Sequence, residues 1–250
     1  AGRALAGPAA RDVLGAVADS SAAGVDVSGD AFAFRDIRRM DLDMVPAIVG
    51  RITFTGDLGY ECWVPASLQQ RLFDLLMEAG ESHGIHLFGL RALDSMRFDK
   101  GFGAWTSEFR PIYTPGEAGL DPFVALLDAD GADRDFVGRD AVAAARTTGP
   151  VRRLCLFTLD DGGIPAGQNP GTDVLGDEPI WHGGDVVGRA TSGGYAHWSQ
   201  ASCAMGYVPA DVADPTAPAD GFEIEVLGVR RPATRRDEPL FDPSGSRMRE

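Results

Sequence analysis

The sequence has little with which to staple a fold, hold a metal or cross a membrane. Its 250 residues include three cysteines and four histidines. Cys62, Cys155 and Cys203 form no CxxC pair and leave an odd thiol in apolar, strand-like surroundings. That pattern points to reduced core thiols and a reducing compartment rather than a disulfide framework. His83 and His86 stand three apart, but no acidic, Cys or His neighbour completes a metal spacing, so no metal site is expected. No apolar run approaches the ~20 residues of a membrane helix, and Ala1-Gly-Arg-Ala-Leu-Ala-Gly-Pro8 lacks the apolar core of a signal peptide. A soluble, cytoplasmic chain is the expectation. There is no GxGxxG, P-loop or Gly-x-Ser-x-Gly elbow, so the chain does not itself present a dinucleotide site and no catalytic residue is assigned. A formal net charge of −14 excludes a nucleic-acid surface, which needs a basic face for counterion release. It also repels anionic ligands at long range, unless a local cationic patch receives them.

What is present is enough chain for one large or two ordinary domains. Pro8 to Val17 reads as a short helix with Val13, Leu14 and Val17 on one stripe. Ser20 to Gly29 reads as a loop, and Phe32, Phe34, Ile37 and Met40 suggest strands. Arg51 to Pro65 reads as strand, tight turn, strand around Gly-Asp-Leu-Gly. Ser67 offers an N-cap for an amphipathic helix through Ala79, stopped by Gly80. The next helix, about Leu90 to Phe98, turns Leu90 and Leu93 toward a core; Arg97 is a structural cation paired with a carboxylate in preference to a ligand contact. Phe123 to Leu127 is strand-like and Gly138 to Ala145 helical. Thr147-Thr-Gly-Pro150 marks the clearest boundary. Beyond it short strands recur at 153–159, 178–181, 185–190, 202–208 and 222–229, the pattern of a small all-β barrel or sandwich, with 211–220 as a loop insertion.

Within this frame Glu61 is the odd residue. A carboxylate on a strand, between Tyr60 and the apolar Cys62-Trp63-Val64, either points to solvent or meets a ligand that donates hydrogen bonds. Trp105, in an irregular stretch, either lines a cleft or plugs a gap. The run Arg230, Arg231, Arg235 and Arg236 reads first as a solvated face and second as an anion-holding patch.

Phe54-Thr-Gly-Asp-Leu-Gly-Tyr-Glu61, together with Gly89-Leu-Arg-Ala-Leu-Asp-Ser-Met-Arg-Phe-Asp-Lys-Gly101, resembles the signature of the glycine-cleavage T-protein family of aminomethyltransferases. The resemblance is strongest to the version fused to flavin-dependent sarcosine and dimethylglycine dehydrogenases. It continues through Tyr113-Thr-Pro-Gly-Glu-Ala-Gly-Leu120, Asp135-Phe-Val-Gly-Arg139, Val187-Gly-Arg-Ala-Thr-Ser-Gly-Gly-Tyr195 and Phe241-Asp-Pro-Ser-Gly-Ser-Arg-Met-Arg249. Six ordered matches over nearly the whole chain are more specific than any one of them.

The resemblance implies an α+β fold. A T-protein-like folate-binding region, a mixed sheet with helices, covers 1–147, and a C-terminal all-β barrel covers 148–250. It implies tetrahydrofolate-dependent one-carbon transfer, with Glu61 gripping the pterin and Phe54 against the ring. Tyr60 is either a pocket wall or a cross-strand packing residue, and Trp105 is a further candidate contact. A carboxylate suits a pterin, whose amide N–H and exocyclic amine can donate to one acceptor pair. The family's orienting aspartate belongs to a segment that would precede Ala1, and the family's folate-binding arginine is matched by Leu93, which cannot replace a guanidinium. The family's C-terminal tyrosine has no match here. The Arg189, Ser192 and Tyr195 segment reads as a glycine-enabled bend in preference to a ligand contact. Expected partners are a folate and a methylated amine such as sarcosine or dimethylglycine, with a flavoprotein dehydrogenase or an N-terminal partner subunit. FAD enters only if another segment or subunit supplies it. Two other readings stand beside this one: a non-catalytic folate-binding or assembly module, and an O- or S-demethylase of the same superfamily.

Overall fold

The structure, a computed structural model, describes residues 1–19, 25–160 and 172–250. Part of the expected 20–29 loop lies outside the described residues. The chain divides into two compact units: 1–100 with 241–250, and 101–240.

The first unit is built on an antiparallel sheet in the order β1-β4-β3-β2, from β1 (Gly2–Ala6), β2 (Ile37–Leu42), β3 (Val45–Gly50) and β4 (Gly59–Trp63). Its helices are α1 (Ala10–Asp19), α2 (Gln69–Gly80) and α3 (Leu90–Lys100). Val13, Leu14 and Val17 of α1 recur at helical spacing, and Leu72 and Leu76 of α2 at one turn. All are buried in one core with Leu5, Val49, Tyr60 and Cys62 from alternate strand positions. Two helices therefore cover one face of the sheet, and burying each such leucine contributes roughly 1.5–3 kcal/mol.

Four local expectations change in this unit. Arg51 to Leu58 is a connection rather than a strand. The chain bends at Gly56 as expected, at φ +82 and with a Cβ there meeting the Lys100 side chain at 2.6 Å, while the strand expected before it is irregular chain. Ser67 caps nothing: Pro65 starts a 3₁₀ turn over Ala66–Leu68, and α2 begins after it with Leu68 at the cap position. Phe32 is fully buried but lies in irregular chain before β2. On α3, Leu90 is 79% exposed, because burial starts only at Ser95 and is anchored by Phe98. Lys100, the single lysine of the chain, is buried at the end of α3. Its Nζ donates to the Phe241 carbonyl at 3.4 Å and to the Asp242 carboxylate at 3.2 Å. Burial pushes the Asp242 carboxyl up, but hydrogen bonds from Ser246, Lys100 and the Arg247 N–H outweigh it and hold the group well below the ordinary carboxylate range.

The second unit carries α4 (Arg139–Thr148) and a closed barrel. The barrel strands are β5 (Arg152–Leu159), β6 (Pro179–His182), β7 (Asp185–Ala196), β8 (Ala201–Pro209), β9 (Phe222–Val226) and β10 (Val229–Arg236), in the closed order β10-β5-β8-β7-β6-β9. The α+β class and the all-β barrel stand as expected. The single strand expected over 222–229 is a hairpin: Leu227 (φ 50) and Gly228 (φ 80) form a two-residue turn of the kind that usually carries Asn-Gly, and a leucine in that place hides the signal. Phe123 to Leu127 is not a strand. Pro122 helps start a 3₁₀ turn over Asp121–Phe123, and Arg146 fixes it by donating to the Asp121 and Val124 carbonyls at 2.9 and 2.6 Å. The expected bend at 187–195 is the long strand β7, with a bulge between Ala190 and Ser192. Nor do the β10 arginines share one solvated face: Arg235 is 2% exposed and donates to the Val212 and Ala217 carbonyls at 2.6 and 3.1 Å.

Cys62, Cys155 and Cys203 are free and buried. Burial first, then the nearby Glu61 charge, pushes the Cys62 thiol up to about 12, and burial pushes Cys155 up to about 11. At neutral pH both are protonated packing groups. Among the described residues, no helix is long and apolar enough to cross a membrane, and no group of three His, Cys, Asp or Glu side chains is placed to hold a metal ion.

Gly188 in β7 has no room for a side chain, since a Cβ there would collide with the Tyr207 carbonyl oxygen of β8. Gly188→Ala is expected to destabilise the barrel by about 1–3 kcal/mol, read from urea unfolding.

Candidate functional site

Strand β4 alternates. Tyr60 and Cys62 enter the helix-covered core, so Glu61 and Trp63 project from the opposite face of the sheet. The register pairs Glu61 with Ala4 of β1 on one side and Gly50 of β3 on the other. Paired residues share a face, so the carboxylate stands between a methyl group and a bare glycine. Gly59, two residues earlier, is bare as well. Trp63 bounds this low ground: a Cβ at Gly50 would come 3.1 Å from its Cζ3, and one at Gly2 3.3 Å from its Cδ1. The indole therefore lies over two glycines. At 36% exposure it is a partly open aromatic face beside the carboxylate.

The loop before β4 closes another side. The Thr53 and Thr55 hydroxyls share a hydrogen bond of 3.1 Å, and a Cβ at Gly59 would meet Thr53 at 3.0 Å. The 52–55 segment, which carries the partly buried Phe54, thus crosses over Gly59 on the Glu61 side of the sheet. Gly50, Gly56 and Gly59 are each required by close approach or by backbone sign, which accounts for the glycine-rich pattern around the acid.

Glu61 itself is partly buried, and no hydrogen bond or ion pair reaches its side chain among the described residues. Desolvation is the cause that raises its pKa above the ordinary glutamate value. A carboxylate drawn out of water without a donor is costly unless something brings donors to it. With two oxygens and a clear approach over Ala4 and Gly50, it can accept a side-by-side pair of N–H donors from a flat molecule, which Trp63 can flank.

The structure separates the other sequence candidates. Tyr60 is fully buried on the helix-covered face, 5.8 Å from the Phe32 ring centroid, and its hydroxyl accepts from Arg11 Nε at 3.3 Å. It packs the far side of the strand that carries Glu61. Trp105 belongs to the 101–240 unit, is 74% exposed, and forms an isolated bridge with Phe109. Arg97 is buried, donates to Asp94 at 2.8 Å and lies 4.2 Å from the Phe98 ring centroid, a structural cation as expected. Leu93 is partly buried and Arg91 exposed on α3. His83 and His86 are both exposed. Sequence reasoning did not single out Trp63, Ala4 or Gly50. Trp63 carried a signal in its two-residue spacing from Glu61; Ala4 and Gly50 join the site only through strand register.

Residues 1–128 match the GCVT N-terminal domain family, and residues 152–242 match the glycine cleavage T-protein C-terminal barrel domain. The chain is 35% identical to mouse (Mus musculus) mitochondrial dimethylglycine dehydrogenase over 246 residues, 98% of this chain and 26% of that protein. It is 31% identical to human (Homo sapiens) mitochondrial sarcosine dehydrogenase over 251 residues, covering 98% and 25%. To an aminomethyltransferase of Symbiobacterium thermophilum it is 32% identical over 225 residues, covering 90% and 54%. The chain thus spans about a quarter of the length of the dehydrogenases it matches. Among solved structures, the glycine cleavage system aminomethyltransferase T from Bartonella henselae shares the fold with a TM-score of 0.72 at 24% identity, over 94% of this chain and 57% of that one.

The raised pKa of Glu61 has a stability consequence of definite sign. Between the ordinary glutamate value, 4.5, and the raised folded value, the folded state binds more protons than the unfolded state. This group's contribution therefore falls as pH rises through that window. Glu61→Gln is expected to raise the thermal midpoint relative to the parent at pH 7, with the advantage vanishing toward pH 4. Differential scanning calorimetry across that range checks it.

Proposed function

The chain belongs to the glycine cleavage T-protein family, and from that premise we propose that it binds a reduced folate at Glu61 and takes part in folate-dependent one-carbon transfer. The observation that carries the reading is a partly buried carboxylate without a protein donor, on open sheet between Ala4, Gly50 and Trp63. A pterin presents two adjacent N–H donors along one edge, which is the complement such an acceptor lacks. Bound tetrahydrofolate supplies the nitrogens that accept or release the one-carbon unit.

The work of this chain's own residues is binding and orientation. Glu61 takes the donor edge and thereby fixes which edge of the ring faces away. Trp63 offers an aromatic flank, and Phe54, on the segment over Gly59, a second apolar contact. Tyr60 holds β4 against the helical core and so holds the neighbouring carboxylate in place. Trp105 belongs to the second unit, where its indole is exposed. The folate-binding region is taken to span 1–147 and the barrel 148–250.

The relatives point to a methylated amine such as sarcosine or dimethylglycine as the one-carbon source, with a flavoprotein dehydrogenase segment or subunit as partner. A second reading, a folate-binding or assembly module without catalysis, draws on the neighbours of Glu61, since Ala4, Gly50 and Trp63 bring no acid or base to it.

Titration calorimetry with tetrahydrofolate tests the binding. Saturable binding is expected for the parent, and Glu61→Gln should weaken it about tenfold or more, the worth of a hydrogen bond to a charged group. Heat unchanged by the substitution contradicts the reading. Formation of methylenetetrahydrofolate from a methylated amine in the presence of the partner dehydrogenase separates transferase from module.

A further inference from the structure

The second unit contains an open cleft of about 650 Å³ whose polar lining is Tyr113, Arg152, Asp177, Arg189 and Tyr207. Tyr113 stacks on Tyr207 with centroids 3.6 Å apart and planes 15° from parallel. Tyr207 is held from behind, its hydroxyl donating to the Glu108 carbonyl at 2.9 Å. Both arginines stand beside the same tyrosine: the Arg152 guanidinium carbon lies 5.6 Å from the Tyr113 ring centroid, and Arg189 lines the cleft next to the Tyr113 phenol, which helps raise its proton affinity. Two guanidinia therefore stand within the span of one phenol ring, with Val186 and Pro209 among the apolar walls.

Their donors are only partly used. Arg152 gives its Nε to Glu117 at 2.9 Å, and among the described residues its two terminal nitrogens make no hydrogen bond. Glu117 is itself buried and fixed, accepting from the Thr114 N–H at 2.8 Å, so the Arg152 fork is aimed rather than free to rotate. Arg189 pairs through one terminal nitrogen with Asp177, whose side chain is 80% exposed. An ion pair that exposed contributes little and is readily exchanged for a better anion. A planar fork with unused N–H groups suits a carboxylate, and the apolar walls suit a carbon body attached to it.

The geometry points to a second small-molecule site in this cleft, one that takes a carboxylate bearing an apolar or aromatic body between Arg152 and Arg189. It is independent of the folate reading, which rests on the other unit.

Calorimetric titration of the whole chain with sodium benzoate at low ionic strength tests it. Saturable binding is expected, weakened about tenfold or more by Arg152→Gln and by Arg189→Gln. Asp177→Asn removes the competing carboxylate at an exposed position and should tighten binding several-fold. Benzamide, neutral and of the same shape, should not bind, and inorganic phosphate, without an apolar body, should bind more weakly than benzoate. Circular dichroism confirms that the variants fold. Absence of saturable benzoate binding, an affinity untouched by both arginine substitutions, weaker binding by Asp177→Asn, or benzamide or phosphate matching benzoate would each overturn the assignment.

Discussion

A two-residue period in one short strand decides which side chains meet the helical core of this molecule's first unit and which face away from it. Because side chains alternate across a sheet, the same five residues of β4 deliver Tyr60 and Cys62 to the helical core and Glu61 and Trp63 to the opposite face. A slip of one residue would bury the carboxylate under α1 and α2 and expose a tyrosine and a cysteine. The core side is therefore what keeps the Glu61 side in register. Tyr60, wedged against Phe32 and bonded to Arg11, is as much a part of the candidate site's construction as the groups on its open face.

Small residues play the complementary part. Ala4 and Gly50 flank Glu61 across the strands, and Gly2 and Gly50 let the Trp63 indole lie flat. Larger neighbours would shield the carboxylate or give it a partner. As built, it is drawn partly from water and offered nothing in return, which is why its proton affinity rises. On the proposed reading its worth lies in being completed by a ligand, since the isolated fold is weakened by it. That trade of local stability for recognition is a common property of binding sites.

Much of this was legible in the chain. Helices α1 and α2 announced themselves through 3.6-residue spacing, and most of the barrel strands through β-branched runs between glycine and proline clusters. The acid at 61 stood out because it broke an apolar run. What escaped had identifiable causes. The Leu227-Gly228 turn was hidden because leucine rarely takes a positive φ. The strand expected at 51–55 is irregular chain, in which the Thr53 and Thr55 hydroxyls bond each other and take the Thr55 and Asp57 backbone N–H groups, a local turn chemistry that β-branched residues hid. Leu90 looked like a core residue because its spacing from Leu93 was read without knowing where α3 meets its neighbours. Strand register alone placed Ala4 and Gly50 beside Glu61, and register is a product of the whole sheet.

The central claim is that Glu61 is a desolvated acceptor awaiting donors, and its own titration reads that claim directly. Carbon-13 NMR of the Glu61 side-chain carboxyl, followed against pH with and without tetrahydrofolate, should show a pKa above the ordinary glutamate value in the free protein and a fall when the ligand's N–H groups stabilise the charged form. An ordinary value in the free chain, unmoved by tetrahydrofolate, would contradict the account.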